Sequence, residues 1–168
     1  GPYTLNEGNG HLNFSGGWRT GSCILTGNSN VFIGVCAGVG YTSGSNNISI
    51  GTSVGPQICG ASGNYNIAFG HATGNSITSG SDNISIGRST GSNITDGGTN
   101  VLIGRCTGFS QTSAYSNTLI GACVGRKLTT GGGNIGLGRR ALDCISVGFF
   151  NIAIGVQAGR NRYSTDLN

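Results

Sequence analysis

A repeat dictates what this chain can fold into. Asn stands at Asn13, Asn30, Asn47, Asn66, Asn83, Asn100, Asn117, Asn134 and Asn151, in steps of 17 residues apart from one step of 19. Four residues after each Asn comes a Gly, from Gly17 and Gly34 through to Gly155. Eight residues after each Asn there is again Gly, except where Leu142 takes its place. The fifteenth position is mostly Gly as well, as at Gly27, Gly44, Gly80, Gly97, Gly131 and Gly148. The two extra residues of the long step fall in the stretch 56–64. A unit this short cannot close a core of its own, so the copies must stack as coils and bury inward columns against their neighbours. At a strand spacing of about 4.8 Å, the nine coils make a rod roughly 40 Å long.

The apolar residues fall into columns. Position 2 carries Phe14, Val31, Ile48, Ile67, Ile84, Val101, Thr118, Ile135 and Ile152, and position 4 carries Ile33, Ile50, Phe69, Ile86, Ile103, Ile120, Leu137 and Ile154, with Gly16 as the exception. Residues two apart on a strand share a face. We therefore expect positions 2 and 4 to point inward, joined by the small or β-branched position 8 and the mostly apolar position 12 (Ile24, Tyr41, Ile58, Ile77, Ile94, Leu128 and Ile145). Position 3 varies from Gly to Phe and is expected outside. Its large members Phe32, Leu102 and Leu119 would then form an apolar surface for another subunit. Gly at the corners supplies backbone conformations closed to residues with a Cβ. Stacked Asn amides can hydrogen-bond along a ladder. These readings give an all-β parallel solenoid with almost no helix over residues 13–159. Residues 1–12 form a lead-in that begins with Gly1-Pro2, read as a tag scar, and residues 160–168 form a C-terminal tail or the start of a next segment.

Segments such as Asn47-Ile48-Ser49-Ile50-Gly51, Asn83-Ile84-Ser85-Ile86-Gly87 and Asn151-Ile152-Ala153-Ile154-Gly155 resemble the head repeat of trimeric autotransporter adhesins. They are also similar to Asn-x-x-Ile-Gly repeats of phage and giant-virus tail or surface fibres. The resemblance implies a left-handed parallel β-roll in a homotrimeric fibre on a virion or cell surface. Its 17-residue unit is longer than that family's usual one, and its six Cys are a second departure.

Composition narrows the chemistry. Glycine contributes 34 of 168 residues without a Gly-X-Y triplet, which excludes collagen, and only 8% of the chain is charged. The two His (His11 and His71) and the five acidic residues are scattered, so no catalytic dyad, metal cluster or cofactor is expected, and the chain is read as a non-enzyme. No apolar run spans a membrane, and no basic, aromatic-studded face suits nucleic acid.

What remains is surface. Arg88 and Arg105 occupy position 6 of adjacent coils, and Arg139 with Arg140 continues the basic side. Arg holds carboxylate or phosphate through paired hydrogen bonds, so these four are the candidate contacts to an anionic host glycan. Cys106 and Cys123 share position 7 in adjacent coils, within disulfide range, although Cys there is equally a small filler. The function expected is a fibre segment that attaches to a host glycan or protein receptor by multivalent contacts. An ice-binding solenoid is the alternative, because Thr73, Thr90 and Thr107 stack at position 8. A polysaccharide depolymerase is the third.

Overall fold

The computed structural model describes residues 12–160. Each coil contributes one strand to a common sheet, beginning with β1 (Phe14–Gly16), β2 (Val31–Ile33), β3 (Ile48–Thr52), β4 (Ile67–His71), β5 (Ile84–Arg88), β6 (Val101–Ile103) and β7 (Thr118–Ile120). Then β8 (Thr130–Gly132), β9 (Ile135–Leu137), β10 (Val147–Phe149) and β11 (Ile152–Ile154) complete the set. Nine of them form one parallel sheet in chain order, β1 to β7, then β9 and β11, separated by eight turns of chain. The pair β8 and β10 lies on another side of the coil. Pairing follows the columns across the 19-residue step too, with Ile48 opposite Ile67 and Ile50 opposite Phe69. The described residues contain no helix. The fold is the expected all-β parallel solenoid.

Two Gly columns explain the closeness of the coils. At position 5, φ lies between 115° and 140°, a region that side chains avoid, and a Cβ on Gly51 would collide with the Gly70 carbonyl. At position 15 the cause is close approach: a Cβ on Gly80 would strike the Gly97 carbonyl. The αL conformation at positions 7 and 17 is less expected, because residues other than Gly hold it. Cys36, Ser53, Ala72, Ser89, Cys106 and Cys123 all adopt it at position 7, as do Asn46, Tyr65, Asp82 and Thr99 at position 17. Such residues cost roughly 1–2 kcal/mol each. Each is held by a backbone bond to the preceding coil, such as Ser53 N–H to Val35 O (2.9 Å) and Asp82 N–H to Asn64 O (3.0 Å).

The Asn column does more than form a ladder. Asn47 donates its backbone N–H (2.8 Å) and its Nδ2 (3.1 Å) to Asn30 Oδ1 in the coil before. The same Nδ2 donates to Gly63 O at the end of its own coil, 2.9 Å away, so the side chain also closes the turn it begins. The pattern recurs from Asn30 to Asn134, and these Asn are buried.

The expected sidedness of the strands is reversed. Position 3 points inward: Phe32, Ser49, Leu102 and Leu119 are fully buried. Positions 2 and 4 point outward along the whole sheet. Position 3 varies because it shares its coil's interior with positions 8 and 12. Phe32 is accommodated by Ala37 and by Gly38, whose Cα lies against the ring, and it stacks on Tyr41 at 5.4 Å between centroids. Gly136 is matched by Leu142, the one side chain that replaces the position-9 Gly. In these two coils a large residue in one interior slot is met by a small one in another.

Ile58 also departs from expectation. It is 85% exposed, and Ala61 takes the inward slot and bridges to Tyr41. The two extra residues thus push Ile58, Cys59 and Gly60 out as a bulge. The bulge carries the disulfide, Cys23–Cys59, which joins residues 36 apart with Cα atoms at 5.6 Å. Cys106 and Cys123 stack at position 7 as expected, but they are free thiols, like Cys36 and Cys144. The sequence places Cys59 two coils from Cys23, too far for a bridge in a regular stack. Only the bulge carries it back within reach.

Candidate functional site

The most distinctive surface is the outer face of the nine-stranded sheet. Strand alternation turns positions 2 and 4 to this side, and parallel pairing sets each residue above its equivalent. The result is two apolar columns, interrupted only by Gly16 at position 4 and Thr118 at position 2. Ile33, Ile67, Ile86, Ile120 and Ile135 are exposed in them, Phe69 is 52% exposed, and Val31, Ile48, Ile50, Val101 and Ile103 are half-buried. Monomeric soluble proteins rarely expose contiguous apolar patches beyond a few hundred Å². This face runs the full length of the rod, roughly 40 Å by 10 Å.

Charged residues border the face. In β3, β4 and β5 the strand continues to position 6, which is exposed beside the face. Position 6 therefore forms the edge at the strands' C-terminal ends. It holds His71, Arg88 and Arg105 in three successive coils and Arg139 further along, all exposed. Among the described residues no acidic side chain pairs with Arg88, Arg105 or Arg139. The opposite edge is position 17, where Asp82 is exposed without a basic partner among the described residues.

Arg140 is differently placed from the other three. It stands at position 7, and its Nε lies 3.5 Å from Asp143 Oδ2, while Arg126 Nε bonds Asp143 Oδ1 at 3.0 Å. Asp143 is buried, so both guanidiniums neutralise a carboxylate that would otherwise be costly to bury. Hydrogen bonding and the charge of Asp143 raise the Arg126 pKa. Arg140 is thus occupied within the chain and is not part of the open basic edge.

The Thr residues at position 8 face the interior. Thr73, Thr90 and Thr107 are fully buried, and their hydroxyls donate to Gly87 O, Gly104 O and Gly121 O of the next coil. They offer no surface to ice. A different Thr column, which the apolar and Gly columns do not single out, lies outside at position 13. There Thr78 and Thr129 donate to carbonyls of the following coils at 3.0 and 2.9 Å. A cleft of about 500 Å³ opens beside the bulge, lined by Pro56, Ile58, Asn75, Ser76 and Thr78 over Ile77.

Among the described residues, no three of His, Cys, Asp and Glu converge as a metal site. No helix there is long and apolar enough to cross a membrane. His11 lies outside the described residues. Asn47 and Asn83 begin Asn-x-Ser triplets of the kind that carry N-linked glycan, but both are buried in the ladder. The chain matches no protein-family model, no curated protein and no solved structure.

Proposed function

We propose that this chain is a structural segment of an adhesive fibre, formed by three copies that bury their apolar sheet faces against one another. The observation that carries this reading is the pair of outward apolar columns at positions 2 and 4. They run the length of the sheet, with Gly16 at position 4 and Thr118 at position 2 as the two exceptions. A solvated wall needs no such columns, and an edge-to-edge aggregate would not use them, because the apolar surface is a face. The number three comes from the resemblance of the repeat to trimeric adhesin and viral fibre repeats. The subunit interface belongs to positions 2 and 4 in place of the expected position 3.

Burial of this face supplies what a thin coil lacks. Each interior holds few large side chains, and small cores usually depend on association or cross-links. A rigid rod of this kind presents its sides to a surface, and several weak contacts on one particle add through avidity. The contact chemistry supported best is anionic, because Arg105 and Arg139 are exposed and carry no acidic partner among the described residues.

Light scattering on the purified chain tests the assembly. The expected mass is three times the 16.9 kDa of one chain. A monodisperse monomer that stays soluble at millimolar concentration would remove the fibre reading. Attachment is tested by retention on a sulfated or sialylated glycan surface, with Arg105→Ala/Arg139→Ala as the weakened variant. Equal retention of that variant would remove the anionic receptor.

A further inference from the structure

The two edges of the apolar face point to how the copies are oriented. We propose that they associate parallel and in register, and that Asp82 of one copy pairs with Arg88 of the next to select this arrangement. The proposal rests on the fibre reading above and adds its polarity and its specificity-determining residues.

Position 17 precedes each strand of the sheet and position 6 follows it, so the two columns border the face along its length. When copies are related by rotation about the rod axis, every coil keeps its height. The position-6 edge of one copy then meets the position-17 edge of its neighbour. The partners at each level are therefore the two residues that flank a single strand. At β5 these are Asp82 and Arg88, an acid and a base that are both exposed and unpaired within the described chain. At the N-terminal coil they are Leu12 and Trp18, and at the last coil Phe150 and Val156, so apolar meets apolar at both ends.

The antiparallel arrangement reverses this complementarity. A dyad perpendicular to the rod sets position 6 against position 6 with the coil order inverted. Arg88 belongs to the fifth of nine coils, so in full overlap it would face its own copy, and His71 would face Arg105. Like charges beside a low-dielectric interface oppose association, and charge patterns of this kind set register more than affinity. Asp82 suits the role among the three described carboxylates. Asp143 is buried between Arg126 and Arg140, and Asp96 is held by Ser113 and Thr95 on another side of the coil.

Zero-length carbodiimide coupling of the intact chain tests the pairing. The sequence has one lysine, Lys127, so Arg88→Lys introduces a single new amine at the edge. Within one chain the two positions are separated by about 20 Å of extended strand, beyond the reach of a direct amide bond. The expected result is a covalent dimer and trimer ladder. It should contain an isopeptide between Asp82 and the introduced amine, found by mass spectrometry and absent from the wild type. An oligomer of unchanged mass without that link would overturn the parallel pairing and leave the fibre reading intact. A monomer by light scattering would instead sink the fibre reading itself. As a second measurement, Asp82→Arg should raise the subunit dissociation constant at least about tenfold, with the exchange Asp82→Arg/Arg88→Asp restoring it. No recovery in the exchanged variant would also overturn the pairing.

Discussion

Asn100 shows how much a single side chain holds in this fold. Its Nδ2 donates to Asn83 Oδ1 (3.0 Å) and to Ala114 O (2.8 Å), and its Oδ1 accepts from the backbone N–H and the Nδ2 of Asn117. Asn100→Ala leaves a buried N–H and a buried carbonyl without partners. We expect a loss of about 2–4 kcal/mol, read from chemical denaturation. Asn100→Asp keeps the acceptor but loses the donors and buries a charge, and it should be no better tolerated near neutral pH. Tyr41 gives a pH test. Burial pushes its hydroxyl pKa above the ordinary value, and the hydroxyl faces Asn66 and Ser49 without a hydrogen bond of good geometry. The folded chain therefore keeps a proton that the unfolded chain releases above about pH 10. That stability is complete below this pH and is lost as pH rises, by up to about 1.4 kcal/mol per unit. Tyr41→Phe should flatten this alkaline decline in denaturation midpoints measured between about pH 8 and 11, on either side of the ordinary tyrosine value. An unchanged slope would mean that Tyr41 ionises freely.

The informative element is the bulge at 58–60. A regular solenoid could have absorbed an irregular coil anywhere. Here the inserted residues carry Cys59 back to Cys23, two coils away in sequence. A cross-link closing 36 residues restricts the unfolded chain by about 4 kcal/mol in the loop-entropy picture. Cys23→Ser/Cys59→Ser should lower stability by up to that amount. Hydrogen exchange should show the first coils opening before the rest, because a chain end has a neighbour on one side only. Uniform loss of protection along the rod would contradict a local staple. The step of 19 residues is plain in the sequence, but its consequence is not. Ile58 keeps the spacing of an inward residue, and only the backbone path shows Ala61 in that place.

At the scale of the whole molecule, the exposed face dominates. Ile86 lies on it midway along the rod. Ile86→Asp should dissociate the assembly into single chains, seen by light scattering. The fold of each chain should change by no more than about 0.5 kcal/mol, because the side chain contributes little to its own interior. A variant that unfolds, or that stays assembled, would contradict the placement of the interface on this face. The basic edge beside it is also a property of the whole stack. Arg88 and Arg105 are unremarkable one at a time, and they become a charged border because identical coils set position 6 in a line.

Much of this architecture is legible in the residues. The repeat of Asn and Gly determines that the chain coils, where it turns and which columns stack, because corner backbone conformations and buried amides accept few residue types. The inward position 8 is also legible, since a narrow interior admits Ala, Val or Thr there. Tertiary structure alone decides which face of the strand is the interior. Positions 2 and 4 are apolar in nearly every coil and position 3 is irregular, so the pattern suggests the opposite assignment. The physical reason is that interior residues compensate one another across a coil, as Phe32 does with Ala37 and Gly38, and Gly136 with Leu142. Close packing constrains how neighbouring slots fill space together and not which residue fills each. The disulfide is likewise decided by the path of the bulge, and the freedom of Arg88, Arg105 and Arg139, against the captivity of Arg140, by where Asp143 is buried.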